Sequence, residues 1–209
     1  MIIRQKEIIG MLHIINVQNI HEYPEEMDQA FRLRHRVFVE ERGWNNLARA
    51  DGREIDQFDT VDAIHMLFID QREVLGYQRM LPSTKPHLLS HVLPQLCEEE
   101  RPVGPHVWEW TRYCVAPSYR EHGRALSAVS NALLSGFVEW GLANNIDTVI
   151  IEMQPLWMLR LLQLHFKVSA LGLPQTVSGE DVVAVTASFD HRTLAKLQSL
   201  KTDLRRRAA

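Results

Sequence analysis

Only two of the 209 residues are cysteine, Cys97 and Cys114. So spaced, they make neither a disulfide framework nor a CxxC metal pair, and both read as core thiols of a reducing compartment. No stretch reaches the roughly 20 consecutive apolar residues that a membrane-spanning helix needs. The opening MIIRQKEIIGMLHIINV is broken by charges and has no small-residue cleavage site, so it is a poor signal peptide. A cytoplasmic chain with no membrane partner is the expectation. The charge is nearly balanced, with 23 Lys and Arg against 26 Asp and Glu and a formal net charge of -3. That excludes a global field that would draw nucleic acid or an anionic surface, so any anion site must be local. GxSxG, Walker-loop, GxGxxG and HExxH patterns are missing, and with them any reason to expect a metal or a resident cofactor.

Repeats, low-complexity blocks and Gly/Ser linkers are also absent, which leaves one domain as the expectation. Residues 1–10 read as an N-terminal extension, 11–200 as the domain and 201–209 as a basic, solvated tail. Within the domain, strand-like and helix-like patterns alternate. LHIINV (12–17) is a strand, and Pro24 to about Glu41 carries Met27, Phe31, Arg34 and Phe38 at helical spacing, ended by Gly43. AIHMLFI (63–69) and VLGYQRML (74–81) form a hairpin pattern, and VWEWTRYCV (107–115) is an aromatic-rich strand. A long amphipathic helix follows from Leu126, then strand TVIIEM, a helix over 156–166 and strand VVAVTASF. The sum is an α/β fold with a mixed sheet of six to eight strands flanked by helices.

Charged residues inside apolar runs mark the chemistry. Arg34 lies between Phe31 and Phe38 in its helical stripe, where a guanidinium either snorkels past the core edge or finds a carboxylate or ligand in a cleft. GREIDQFD (52–59) supplies Glu54, Asp56 and Asp59, either a solvated acidic loop or a set able to hold a cationic group. Arg79 sits mid-strand in VLGYQRML, and Glu109 and Arg112 sit in VWEWTRYCV. An odd spacing puts the last two on opposite faces of an ideal strand, unless a bulge reconciles them. Glu109, between Trp108 and Trp110, is a candidate raised-pKa base, or one member of a structural ion-pair network.

After that strand, VAPSYREHGRA places Arg120, Gly123 and Arg124 just before a helix, where guanidiniums, free N–H groups and the helix dipole all favour phosphate. The loop resembles the pantetheine-pyrophosphate loop of GNAT-type acyltransferases, with Arg124 where glycine is common. The longer series RLRHRVFVEERGW (32–44), DGREIDQFD (51–59), GYQRMLPSTKP (76–86) and WEWTRY (108–113) resembles the acyl-homoserine-lactone synthases of the LuxI type over about 80 residues. Leu93 departs from it, standing where the family often has Phe.

The resemblance implies a GNAT-like fold and quorum-sensing signal synthesis. An acyl group from acyl-CoA or acyl-carrier protein would pass to the amine of S-adenosylmethionine, a substrate rather than a cofactor, and lactonisation would release methylthioadenosine. It also implies Arg34, Phe38, Trp44, Asp56 and Asp59 on the adenosylmethionine side, with Arg79, Glu109 and Arg112 supporting the reaction. Deprotonating the amine needs a base, Glu109 first and Asp56 second. The acyl chain is expected against some of Met153, Trp157, Leu161 and Leu173. The rival readings are an N-acetyltransferase using acetyl-CoA on another amine, which gives no reason for the aromatic and acidic N-terminal third, and a catalytically silent binding module.

Overall fold

A computed structural model describes residues 10–120 and 126–208, with side chains to residue 201. Its elements are β1 (Met11–Ile15), α1 (Pro24–Arg34), β2 (Ile64–Asp70), β3 (Glu73–Pro82), α2 (Leu88–His91), β4 (Val107–Val115) and α3 (Ala128–Ala143). They continue with β5 (Thr148–Met153), α4 (Leu156–Gln163), β6 (Lys167–Ala170), β7 (Gln175–Val177), β8 (Glu180–Ser188) and α5 (His191–Ala208). The backbone is helical to Ala208, so the residues read as a basic tail continue α5. The sequence reading also missed β6, β7 and α2, each of four residues or fewer, because so short a segment spans barely one period of any pattern.

The sheet runs β1-β2-β3-β4-β5-β8-β6, with β7 pairing the start of β8. Every pair is antiparallel except β4 and β5. One face packs α1 on Leu67, Tyr77 and Cys114. The other carries the main core, where Met66, Met80, Trp110, Ile151 and Val185 meet Phe137 of α3, Leu161 of α4 and Leu197 of α5. Among the described residues no helix is long and apolar enough to cross a membrane.

Three local departures from regularity build the site. Pro24 opens α1, with Glu25 and Glu26 in the first turn to suit the helix dipole. The helix then widens into a π turn over His35–Glu41, which buries Val37, Phe38 and Val39 in succession. Gly43, at φ +72°, ends it as expected. In β4, Arg112 takes φ +56° and the β3 register shifts between Tyr77 and Arg79, which is the bulge anticipated between Glu109 and Arg112. Finally, β4 and β5 pair only over Val107↔Thr148, Trp108↔Val149 and Glu109↔Ile150. Beyond Glu109 the two strands splay, and a cleft opens between them.

At Gly76 the sheet packs closely under α3, since a Cβ there would lie 2.6 Å from Val129 and 2.9 Å from Leu133. Both side chains are fully buried. Gly76→Ala therefore overpacks the core and should destabilise by about 1–3 kcal/mol, read as a lower denaturant midpoint at unchanged m-value.

Candidate active site

Three guanidiniums and three carboxylates interlock under the splayed strands. Loop 52–59 docks on α1 through Glu54 N–H donating to the Phe31 carbonyl, 3.0 Å. Arg34 Nε donates to Glu54, and its two Nη groups grip Asp59 at 2.8 and 2.9 Å. Arg79 grips Asp56 at 2.7 and 2.9 Å and also donates to Asp59 at 2.7 Å. Arg112 donates to Glu54 at 3.1 Å and to Asp56 at 2.7 Å. Arg34, Arg79 and Glu54 are completely buried, and the formal charges cancel three against three. Tyr77 and His65 close the network, the Tyr77 hydroxyl taking a bond from Arg34 at 3.3 Å and lying 2.7 Å from His65 Nδ1.

The electrostatics follow from this packing. Burial opposes ionisation of Asp56 and Asp59, but Arg79, with Arg112 beside the first and Arg34 beside the second, holds both below the usual carboxylate range. Burial depresses His65 to about 4 and pushes the Cys114 thiol up to about 12, so the imidazole is neutral and the thiol inert at pH 7.

The bulge puts Glu109, Thr111, Arg112 and Cys114 on the α1 face and leaves Trp108, Trp110 and Tyr113 opposite, where Trp108 meets Trp140 and Trp110 meets Phe137. Glu109 is thus not flanked by its neighbouring tryptophans. Its carboxylate accepts from His87 Nδ1 at 2.7 Å, Leu89 N–H at 2.8 Å and Leu88 N–H at 2.9 Å. The raised carboxyl is Glu152 on β5, driven first by burial and then by Glu109 beside it. Glu152 closes the apolar run TVIIEM, and the rule that singled out Glu109, a charge in a strand that wants burial, would have found it.

The cleft between the strands has a volume of about 310 Å³. One wall is Phe38, Trp44 and Arg112, with the two rings stacked at 5.2 Å and the Arg112 guanidinium 5.6 Å from the Phe38 centroid. The other is apolar, formed by Trp110, Leu134, Met153, Trp157 and Leu161. Of the residues singled out from sequence, Phe38, Trp44, Arg112, Arg120, Met153, Trp157 and Leu161 line it. Arg34, Asp56, Asp59 and Arg79 come together behind its wall, and Glu109 lies apart from them, against His87 and the start of α2. Arg120 is tied to the Val115 carbonyl at 2.9 Å and to Glu41 at 2.7 Å. Gly123 and Arg124 lie outside the described residues. Leu173 is 70% exposed and off the cleft, and Leu93 packs with Leu89 and Leu96 rather than on the cleft wall. Among the described residues no group of His, Cys, Asp and Glu is placed to hold a metal ion.

Removing one carboxylate strands a buried guanidinium. Asp59→Asn should cost about 3–5 kcal/mol at pH 7. The folded-state pKa of Asp59 is depressed, so its contribution is complete above the unfolded carboxylate value near ~4 and is lost as pH falls below it. Wild-type stability should therefore drop steeply into acid while the Asp59→Asn curve runs flatter, which denaturant titrations across that range would measure.

Comparison with known proteins places this geometry. The family described as autoinducer synthase matches residues 18–197. An isovaleryl-homoserine lactone synthase of Bradyrhizobium diazoefficiens is 37% identical over 185 residues, covering 88% of this chain and 82% of that one. A CoA-dependent acyl-homoserine lactone synthase, solved with SAM and isopentyl-CoA, superposes with a TM-score of 0.87 at 36% identity, covering 92% of this chain and 90% of that one. A second CoA-dependent acyl-homoserine lactone synthase gives a TM-score of 0.82 at 27% identity over 91% of this chain and 95% of its own. With its GNAT-like sheet, its buried ion network and its two-walled cleft, the chain belongs to the autoinducer synthase family and is an acyl-homoserine-lactone synthase.

Proposed function

We propose that the enzyme takes a short branched acyl group from acyl-CoA, joins it to the amine of S-adenosylmethionine and releases the acyl-homoserine lactone with methylthioadenosine. The observation that carries this reading is the cleft with two unlike walls, aromatic and cationic on one side and apolar on the other. A sulfonium nucleoside with an amino-acid tail suits the first wall and an alkyl chain the second. The donor class is supported by similarity to an isovaleryl-homoserine lactone synthase and to a CoA-dependent synthase solved with isopentyl-CoA, both of which point to a branched acyl group.

The amine nitrogen attacks the thioester carbonyl, an N–C bond forms, the C–S bond breaks and CoA leaves as a thiolate that takes up a proton. The backbone N–H groups of β4 that face β5 beyond Glu109 have no partner on that strand. They are the donors for the developing oxyanion, a contribution of roughly 3–4 kcal/mol in comparable sites. The carboxylate of the methionine part then attacks its own γ-carbon, the bond to the sulfonium breaks, and methylthioadenosine leaves as a neutral thioether. Positioning suffices for that step because the sulfonium is already a good leaving group.

Arg34, Asp56, Asp59 and Arg79 act from behind the wall, holding Arg112 and the loop under Phe38 in place. Phe38, Trp44 and Arg112 meet adenosylmethionine, and Met153 and Trp157 meet the acyl chain. Arg120, with Gly123 and Arg124 beyond it, serves the CoA phosphates. Glu109 is the final acceptor of the amine proton.

Purified protein given S-adenosylmethionine and a panel of acyl-CoA and acyl-carrier-protein donors should release lactone fastest from isovaleryl-type CoA, read by mass spectrometry of the homoserine-lactone fragment. Glu109→Gln should lower the rate by roughly 10²-fold or more. Lactone from carrier-protein donors alone would overturn the CoA assignment. No lactone from any donor would move the reading to an acetyltransferase acting on another amine.

A further inference from the structure

Glu109 cannot meet the substrate itself. A base must come within hydrogen-bond reach of the proton it removes, yet Glu109 is completely buried, absent from the cleft wall and already accepts three hydrogen bonds. Glu152 stands between it and the cleft. Register pairs Glu109 with Ile150, and two residues further along β5 the side chain returns to the same face. Ile151, between them, lies in the opposite core, and Met153 packs against it. Glu152 therefore shares the Arg112 side of the sheet, lines the cleft and lies beside Glu109 on the neighbouring strand. Its Oε1 is buried with no protein partner, an arrangement that stable proteins avoid unless a ligand completes it.

We infer that Glu152 is the residue that meets the amine of S-adenosylmethionine and hands its proton to Glu109. This rests on the reaction assigned above. Two adjacent carboxyls cannot both be ionised without strong repulsion, so the resting pair shares one proton, and burial with Glu109 alongside pushes the Glu152 carboxyl up. As the ammonium arrives, its proton moves to the free oxygen of Glu152 while the proton already there moves to Glu109. The ammonium becomes the attacking amine, Glu109 becomes a carboxylic acid, and Glu152 ends protonated as it began. No charge is created in the interior, since a cation and an anion are neutralised together. His87, its Nδ1 facing Glu109, holds the acceptor in place from behind. The other charged groups around Glu152 are Arg112 on β4 and, along the cleft, Glu41, Arg42, Arg120 and Arg160.

Glu152→Gln keeps the shape of the side chain and removes the relay. Its kcat for lactone formation at pH 7 should fall about tenfold or more, with KM for both substrates within about threefold of wild type. The deficit should shrink as pH rises past about 8, where an α-amino group sheds its proton to water unaided. Glu152→Asp, which keeps the acid, should recover part of the rate and the wild-type pH profile, and it decides the matter should the glutamine variant not fold. Wild-type kcat and pH dependence in Glu152→Gln would overturn the inference. So would a loss that is equal at every pH and tracks weakened adenosylmethionine binding. Failure of the wild-type protein to make lactone would instead count against the assigned reaction.

Discussion

Six charges that do not face solvent hold this protein's working half together. Arg34, Arg79 and Arg112 come from α1, β3 and β4, while Glu54, Asp56 and Asp59 come from one loop with no regular structure of its own. Each guanidinium serves two carboxylates and each carboxylate serves two guanidiniums, so no member can move without stranding another. Desolvating six ions costs several kcal/mol apiece, and their mutual attraction returns a comparable amount. The net gain in stability is modest. What the network confers is uniqueness of position, because planar guanidiniums gripping carboxylates at two points leave few alternative geometries.

That rigidity reaches the cleft through backbone as well as side chains. Arg112 can join the network only because the β4 bulge turns it to the α1 face. The same irregularity sits where β4 parts from β5, so the strand leaves its parallel neighbour at the cleft. The π turn acts similarly at the other wall, setting Phe38 against Trp44 and under the Arg112 guanidinium. Local irregularities of this kind are costly in a regular element and persist where the surroundings over-determine them.

The acid pair beyond the network follows the opposite electrostatic logic. Asp56 and Asp59 are held below the usual carboxylate range by the guanidiniums around them, whereas burial and a neighbouring carboxyl push Glu152 up. One site thus contains carboxyls pushed in both directions, the pattern by which a single fold separates positioning groups from proton-carrying ones.

Much of this was legible in the chain itself. Helical spacing of Met27, Phe31 and Phe38 located α1, the hairpin pattern located β2 and β3, and guanidiniums inside the apolar stripes of α1, β3 and β4 pointed to a buried ion network as one of two readings. Parity put Glu109 and Arg112 on opposite faces unless a bulge intervened, and the structure has the bulge. The sequence by itself determined which residues had to find partners, because burial and charge are local properties. Only the tertiary structure decided who those partners were and which groups reached the cleft. It set Glu109 behind the wall and Glu152 on it, and it closed Arg120 onto Glu41. The splay of β4 from β5 depends on pairing between residues 41 apart in the chain, and no periodicity within either strand records where that pairing stops.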